Sequence, residues 1–149
     1  MATDIGDRFP AVEGTTHDGR TVRLSDYTGK KNVVLYFYPR DLTPGCTREA
    51  GDFNRKLADF AAADTEIIGM SVDPPGLHER FTTECGLTFP LLTDEGGALS
   101  RSLGILSDGG MSMRTTYVIG KDGIVQNIHH VKSVDGHVDE VLAEVRTLA

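Results

Sequence analysis

Two cysteines, Cys46 and Cys85, are the side chains of this sequence best suited to covalent chemistry. A thiol attacks other molecules only as its thiolate, so a reactive cysteine needs positive charge or free N–H groups nearby. The two thiols lie far apart in sequence and form no Cys-x-x-Cys pair, an example of the two close thiols that a disulfide oxidoreductase needs. In a reducing compartment so few cysteines indicate reactivity or simple burial rather than a disulfide scaffold.

The residues around Cys46 are typical of the start of a helix. Thr43 can cap a helix and Pro44 suits its first position. Apolar residues then recur at helical spacing, at Ala50, Phe53, Leu57 and Phe60. Cys46 therefore falls in the first turn of the predicted helix, where the unpaired N–H groups favour the negatively charged thiolate.

A buried strand precedes this helix. Residues 32–38 are nearly all β-branched, aromatic or aliphatic, which predicts a strand covered on both faces at the centre of a sheet. The following loop, residues 40–42, delivers Thr43 and Cys46 to the carboxyl edge of that sheet. Ligands of α/β proteins usually bind at this edge, so the predicted position suits a reactive thiol.

The rest of the chain supplies further strands and helices. We predict an N-terminal hairpin between Val12 and Leu24 and a strand over 67–72. A helix follows from about Leu77 to Cys85, and Gly86 ends it. Next come a hairpin with strands over 115–119 and 124–128 and a C-terminal packing helix that includes Val138 and Leu148. This order predicts an α/β fold, a mixed β-sheet flanked by helices with an N-terminal β-hairpin.

Composition restricts the class of protein. A length of 149 residues suits a single domain over 1–149, and 39% hydrophobic with 25% charged residues is ordinary for a globular chain. The net charge of −7, without a cluster of Lys and Arg, disfavours binding to nucleic acid or an anionic membrane. The apolar runs are shorter than the roughly 20 residues that span a bilayer. Because the start lacks a signal-like segment, we expect a cytoplasmic protein.

Residues 36–47, Tyr-Phe-Tyr-Pro-Arg-Asp-Leu-Thr-Pro-Gly-Cys-Thr, resemble the peroxiredoxins, specifically the PrxQ or bacterioferritin-comigratory group. The shared pattern is Pro-x-x-x-Thr-x-x-Cys, and the resemblance covers nearly the whole chain. It implies a thioredoxin-like fold and a thiol peroxidase that acts on hydrogen peroxide or organic hydroperoxides. It also implies that no metal or organic cofactor is required, that thioredoxin or another small thiol supplies electrons, and that the protein is a monomer or weak dimer.

The resemblance assigns roles to four residues. Cys46 matches the peroxidatic cysteine, Thr43 the threonine that hydrogen-bonds the peroxide, and Pro39 the proline that shields the thiolate. Arg114 resembles the active-site arginine of the family. In such a site Cys46 attacks one peroxide oxygen, while Arg114, Thr43 and backbone N–H groups stabilise charge on the other. Separately these residues could be a buried thiol, a helix cap and a solvated charge, but their joint occurrence favours the peroxidase.

The sequence leaves open how oxidised Cys46 is reduced. Many PrxQ-like chains carry a resolving cysteine five positions later, where this sequence has Gly51. Cys85 is the internal alternative, but it comes four residues after Phe81, whereas the resolving cysteine of relatives directly follows the equivalent phenylalanine. A disulfide needs Cα atoms within about 7 Å, so pairing of Cys46 with Cys85 would require local unwinding. A one-cysteine mechanism with a buried Cys85 and an atypical two-cysteine mechanism both remain open.

Other functions have weaker support. A thioredoxin-like disulfide oxidoreductase needs two close thiols, and a peroxide sensor that passes oxidation to a partner protein would use the same Cys46. No metal site is predicted. His129 and His130 are adjacent on a predicted strand and face opposite sides, and the remaining histidines show no metal-ligand spacing with the cysteines: His17, His78 and His137.

Overall fold

The computed structural model describes residues 3–148, in which strands and helices follow one another in mixed order. The strands are β1 (Glu13–Thr15), β2 (Thr21–Arg23), β3 (Asn32–Phe37), β4 (Thr65–Ser71), β5 (Leu91–Thr93), β6 (Thr115–Ile119) and β7 (Val125–His130). The α-helices are α1 (Pro44–Arg55), α2 (Leu57–Ala62), α3 (Pro75–Cys85), α4 (Ala98–Ser102) and α5 (His137–Arg146). None of the helices between residues 3 and 148 has the length and apolar character that a bilayer crossing requires.

The main sheet has the strand order β5-β4-β3-β6-β7, so β3 lies at its centre as predicted. It pairs in parallel with β4 and antiparallel with β6, which makes the sheet mixed. β1 and β2 form the predicted N-terminal hairpin as a separate antiparallel pair. The predicted fold class, a mixed sheet flanked by helices with this hairpin, is confirmed.

Both faces of β3 are covered, which explains its unbroken apolar sequence. On one face Val34 and Tyr36 pack into a cluster with side chains of four helices, among them Phe53, Phe60, Phe81 and Val141. On the other face Val33, Leu35 and Phe37 join a second cluster that contains Phe9, Leu24, Leu103 and Ile105. Because every residue of β3 is buried, the strand fixes where the following loop begins and in which direction it leaves the sheet.

Some predicted boundaries were wrong. The helix predicted to include Cys46 and Phe60 is two helices, because Lys56 has φ −103° and ψ 7° and its N–H bonds the carbonyls of Phe53 and Asn54. The apolar spacing survives this break, since Phe53 and Phe60 still pack with ring centroids 5.9 Å apart. α3 starts two residues earlier than predicted, at Pro75, and β5 and α4 were not predicted because such short elements contain too few residues to show periodicity.

The close packing of β4 against β3 and β5 depends on Gly69. A Cβ atom there would lie 2.7 Å from Cδ2 of Leu91 and 3.1 Å from Cε1 of Tyr36, and both side chains are fully buried without room to move. We expect Gly69→Ala to lower the free energy of unfolding by about 1–3 kcal/mol, measured by urea denaturation. Gly76→Ala, at a helical position with open space around it, is the control and should not destabilise. Equal stability of the two variants would contradict this packing.

Candidate active site

A network of buried hydrogen bonds holds the loop between β3 and α1 in place. The backbone N–H of Asp41 donates to Oδ2 of Asp73 at 2.7 Å. The carboxylate of Asp41 accepts from the Tyr38 hydroxyl at 2.6 Å and contacts Nδ1 of His78 at 2.6 Å. The next residue, Leu42, has φ 66°, a left-handed conformation that side chains other than glycine rarely adopt. These contacts stabilise the unusual turn that leads into α1.

Thr43 occupies the N-cap position of α1, but its side chain does not cap the helix. Its hydroxyl instead donates to the carbonyl of Arg40 at 2.9 Å, which leaves the oxygen able to accept a further hydrogen bond. The first helical hydrogen bond runs from the N–H of Thr47 to the carbonyl of Thr43. The amides of Gly45 and Cys46 therefore precede this bond, and the predicted first-turn position of Cys46 is correct.

Arg114 lies directly beside Cys46. Its Nη2 donates to Sγ of Cys46 at 3.3 Å, across 68 positions of sequence. Cys46 is only 2% exposed, and the Arg114 side chain is 17% exposed. A guanidinium attracts negative charge on a sulfur atom that it contacts, and this attraction is stronger away from water than at the surface. The structure thus brings together Cys46 and Arg114, which the sequence analysis proposed as the nucleophile and the positive charge of the site.

Glu49 is a third member of the site that sequence reasoning missed. It lies on α1 one turn after Cys46, and its Oε1 accepts from Nη1 of Arg114 at 2.5 Å. Burial raises the pKa of Glu49 to about 7, although the charge and hydrogen bond of Arg114 act in the opposite direction. Its Oε2 has no hydrogen-bond partner within residues 3–148. Arg114 therefore holds the thiol with one nitrogen while Glu49 holds the other.

Two further buried side chains surround this pair. His137 lies with Nε2 at 3.9 Å from Oε2 of Glu49 and at 2.9 Å from Oγ1 of Thr116. Burial, and then the charges of His129 and Arg114, lower the pKa of His137 to about 4, so the ring is neutral at pH 7. Burial also raises the pKa of Tyr36 well above its usual value, with Glu49 as the next cause. Both rings therefore stay uncharged around the Arg114–Glu49 pair.

The remaining predicted residues lie at different distances from this centre. Pro39 is half-buried at the start of the loop, and Thr43 stands at the N-terminus of the helix that carries Cys46. Cys85 is the last residue of α3 and packs against the same core cluster as Cys46. Both cysteines are free thiols, and burial raises the pKa of Cys85, with Glu84 as a smaller cause. The raised pKa favours the neutral thiol form of Cys85 in the folded protein.

A signal for Glu49 existed in the sequence, because a side chain three residues after Cys46 lies on the same helix face. No comparable signal existed for His137, since its approach to Glu49 depends on the docking of α5 against α1. A surface cavity of about 700 Å³ lies against β1 and β5, and the residues that line it do not include Cys46, Arg114 or Glu49. The thiol site is therefore separate from this cavity.

A buried thiol at a helix N-terminus, paired with an arginine on a mixed α/β sheet, defines a thiol-dependent redox enzyme. Comparison with known proteins identifies the family: the sequence profile of the AhpC/TSA family matches residues 5–128, and the chain belongs to this family. Among curated relatives, the chloroplastic peroxiredoxin Q of Populus jackii is 38% identical over 146 residues, which are 96% of this chain and 68% of the relative. The chain spans 58 to 68% of the length of three such chloroplastic relatives.

Two solved structures superpose on this protein over almost the whole chain. Peroxidoxin BcpB from Mycobacterium tuberculosis superposes with a TM-score of 0.91 at 32% identity and covers 99% of both chains. A cysteine-to-serine variant of PrxQ from Xylella fastidiosa gives a TM-score of 0.91 at 29% identity, over 99% of this chain and 98% of the other. The resemblance to the PrxQ group and the thioredoxin-like fold that it implied are therefore confirmed.

The contact between Arg114 and Cys46 requires glycine at position 45. A Cβ atom there would lie 3.2 Å from Nη2 of Arg114, so the guanidinium would have to move away by a few tenths of an ångström. We expect Gly45→Ala to slow oxidation of Cys46 by hydrogen peroxide by about tenfold, measured by stopped flow, because small misplacements at a reacting centre are costly. Gly51→Ala on the same helix meets only an ordinary contact with Arg55 and is the control. Equal rates in both variants would refute the effect.

Burial of Glu49 makes stability depend on pH. The folded protein keeps the Glu49 proton up to about pH 7, whereas the unfolded chain releases it near 4.5, so the folded state loses stability from this group as pH rises between those values. Glu49→Gln removes this loss. The free energy of unfolding of the variant, relative to the natural protein, should therefore increase by up to about 3 kcal/mol between pH 4.5 and 7.5.

Chemical denaturation at a series of pH values measures this difference. Glu79→Gln, at an exposed position of α3, is the control, and its difference from the natural protein should stay flat across the same range. A flat difference for Glu49→Gln would show that the carboxyl group ionises normally despite its burial.

Proposed function

We propose that this protein reduces hydrogen peroxide and organic hydroperoxides through a sulfenic acid on Cys46, which thioredoxin or another small thiol reductant returns to the thiol. The observation that carries the proposal is the contact of Arg114 Nη2 with Cys46 Sγ at 3.3 Å in a water-poor site. The named relatives in the AhpC/TSA family are peroxiredoxins, which supports a thiol peroxidase. The peroxide-sensor alternative receives no support from these comparisons.

The reaction begins with attack of the Cys46 thiolate on one oxygen of the peroxide. A sulfur–oxygen bond forms as the oxygen–oxygen bond breaks, so Cys46 becomes a sulfenic acid and the second oxygen leaves as hydroxide or alkoxide. That oxygen takes up a proton and departs as water or an alcohol. Two reductant thiols then reduce the sulfenic acid, releasing water and one disulfide. Each turnover thus consumes one peroxide and two thiols.

Positive charge and hydrogen-bond donors are concentrated where the leaving oxygen develops its charge. Arg114 is the proposed donor to both the sulfur and the departing oxygen, and the amides of Gly45 and Cys46 are the proposed backbone donors. The Thr43 hydroxyl already donates to the Arg40 carbonyl, so its oxygen is free to accept a hydrogen bond from the O–H group of the peroxide. Pro39 is the proposed shield that keeps water from the thiolate. The near-complete burial of Cys46 favours a small oxidant.

Glu49 is proposed as the positioning residue for Arg114. With Nη1 held by a buried carboxylate, the guanidinium cannot rotate freely and its Nη2 stays directed at the sulfur. One planar guanidinium thus contacts two partners in fixed directions. Lysine would be a poor substitute, since its ammonium group lacks this fixed arrangement of donors. The arrangement needs no metal or organic cofactor for the steps above.

Cys85 remains the candidate resolving residue. It ends α3 directly before Gly86, whose left-handed φ of 61° closes the helix, so that the last turn would have to open before the thiol could reach Cys46. Disulfide formation would release water from the sulfenic acid and would protect it from further oxidation. If Cys85 does not pair, an external thiol attacks Cys46 directly. The proposed compartment is the cytoplasm, where such thiols are abundant, and the proposed state is a monomer or weak dimer.

Cysteine variants test both parts of this mechanism. Cys46→Ser should keep the fold and lose peroxide consumption almost completely, because an alcohol is scarcely ionised where a thiol is. Cys85→Ser is the matched control, and it should keep rapid oxidation of Cys46. The intact mass of the natural protein after one equivalent of hydrogen peroxide then separates the two routes. Loss of two hydrogens indicates the disulfide, whereas gain of one oxygen indicates a persistent sulfenic acid. Full turnover by Cys46→Ser would refute the peroxidase.

A further inference from the structure

A second cluster of chemically active side chains lies where β7 meets α5. His129 lies on β7, and His137 and Glu140 lie in the first turn of α5. One potential ligand atom from each of the three lies within 4.8 Å of the others. The two imidazole rings are 5.4 Å apart between centroids and are inclined at 73°. We propose that these three side chains form a zinc-binding site.

The two histidines are held as metal-ligating histidines are. Nε2 of His129 contacts Oε2 of Glu144 at 2.7 Å, and Nε2 of His137 contacts Oγ1 of Thr116 at 2.9 Å. Within residues 3–148 the hydrogen bonds of both rings are made by Nε2, so we take Nδ1 of each ring as its proposed ligand atom. A histidine bound to a metal through one nitrogen characteristically gives the other to a carboxylate or an oxygen of the protein. These partners fix the orientation of both rings before any ion arrives.

The backbone supports the same geometry. Thr116 of β6 is the cross-strand neighbour of His129, and its hydroxyl contacts His137 of α5. The strand pair and the helix thus present the two rings from different elements of one packed layer. His130 follows on β7 and therefore faces the opposite side of the sheet. This explains why sequence spacing, which rules out chelation by His129 with His130, gave no sign of a site built with His137.

Zinc suits this set of donors. Two imidazoles and one carboxylate are a known zinc ligand set, with water as the fourth ligand. Zinc–nitrogen bonds of about 2.0–2.1 Å place neighbouring ligand atoms about 3.3 Å apart in a tetrahedron. Donors that lie within 4.8 Å of one another must therefore draw together by up to about 1.5 Å. Glu140 is exposed and free to make this movement. Magnesium, which prefers oxygen ligands and its own water, should not compete.

Access and charge are also suitable. The cluster opens into a surface cavity of about 340 Å³, whose wall includes His129, His137 and Glu140. Lys132 and Asp135 also line this cavity, and Asp135 pairs with Arg48. Against the charge of Lys132, the two carboxylates of Glu140 and Glu144 leave a local negative charge that attracts a divalent cation.

Zinc titration against a chromophoric chelator tests the proposal without using peroxidase activity, so its outcome is independent of the proposed function. The full chain carries Cys46→Ser and Cys85→Ser, which removes thiols as competing ligands. We expect one zinc per chain, undisturbed by excess magnesium. His129→Gln and Glu140→Gln should each lower the affinity at least about tenfold, and Glu144→Gln should lower it about 10–100-fold through the orientation of His129. His130→Gln is the matched control and should bind as the parent does.

Stability measurements keep the test decisive if a variant folds poorly. Zinc should raise the urea midpoint of the parent and of His130→Gln, and should raise that of His129→Gln less, in line with its weaker affinity. Glu140 is exposed, so Glu140→Gln separates loss of a ligand from loss of packing. Absence of zinc binding to the parent, or equal affinity in the parent, His129→Gln and Glu140→Gln, would overturn the site.

Discussion

The contact between the Arg114 guanidinium and the Cys46 sulfur is the interaction on which the site depends. A thiolate that is almost completely buried is costly unless a positive charge and hydrogen-bond donors compensate it. Residue 114 stands just before β6 and residue 46 stands in the first turn after β3, and these two strands are antiparallel neighbours at the centre of the sheet. The β3–β6 pairing therefore brings the arginine to the thiol, and the two-sided core that buries β3 keeps that pairing in register.

Behind this contact lies a chain of buried polar groups. Arg114 is held by Glu49, and Glu49 lies close to His137, which the hydroxyl of Thr116 orients. Since the pKa of Glu49 lies near neutrality, the net charge beside the arginine changes within the physiological range. The arginine thus has a buried partner whose charge depends on pH, in a setting where little water screens the difference.

The sequence allowed prediction of what periodicity and local chemistry determine. The central strand, the first-turn position of Cys46 and the glycine that ends α3 follow from patterns within a few residues, and all three are confirmed. Prediction failed at several other features, for local as well as tertiary reasons. The hydroxyl of Thr43 bonds Arg40 rather than the helix, α1 breaks at Lys56, and β5 is too short to show a pattern. The approach of His137 to both Glu49 and His129 depends on how α5 docks, which spacing along the chain does not reveal.

The buried bond between Asp41 and His78 has a consequence for motion in α3. His78 stands in the first turn of that helix, and its other ring nitrogen contacts the carbonyl of Leu92, so this end is fastened both to the loop before α1 and to β5. The opposite end, at Cys85, is closed by Gly86, whose carbonyl accepts from the Asn54 amide, and the N–H of Leu87 donates to the carbonyl of Thr82. The Asn54 oxygen also accepts from the N–H of Thr88. Because the bonds to Asn54 at this end are exposed, whereas those of His78 are buried, fraying of α3 would begin at Cys85 and free that thiol before the His78 end moves.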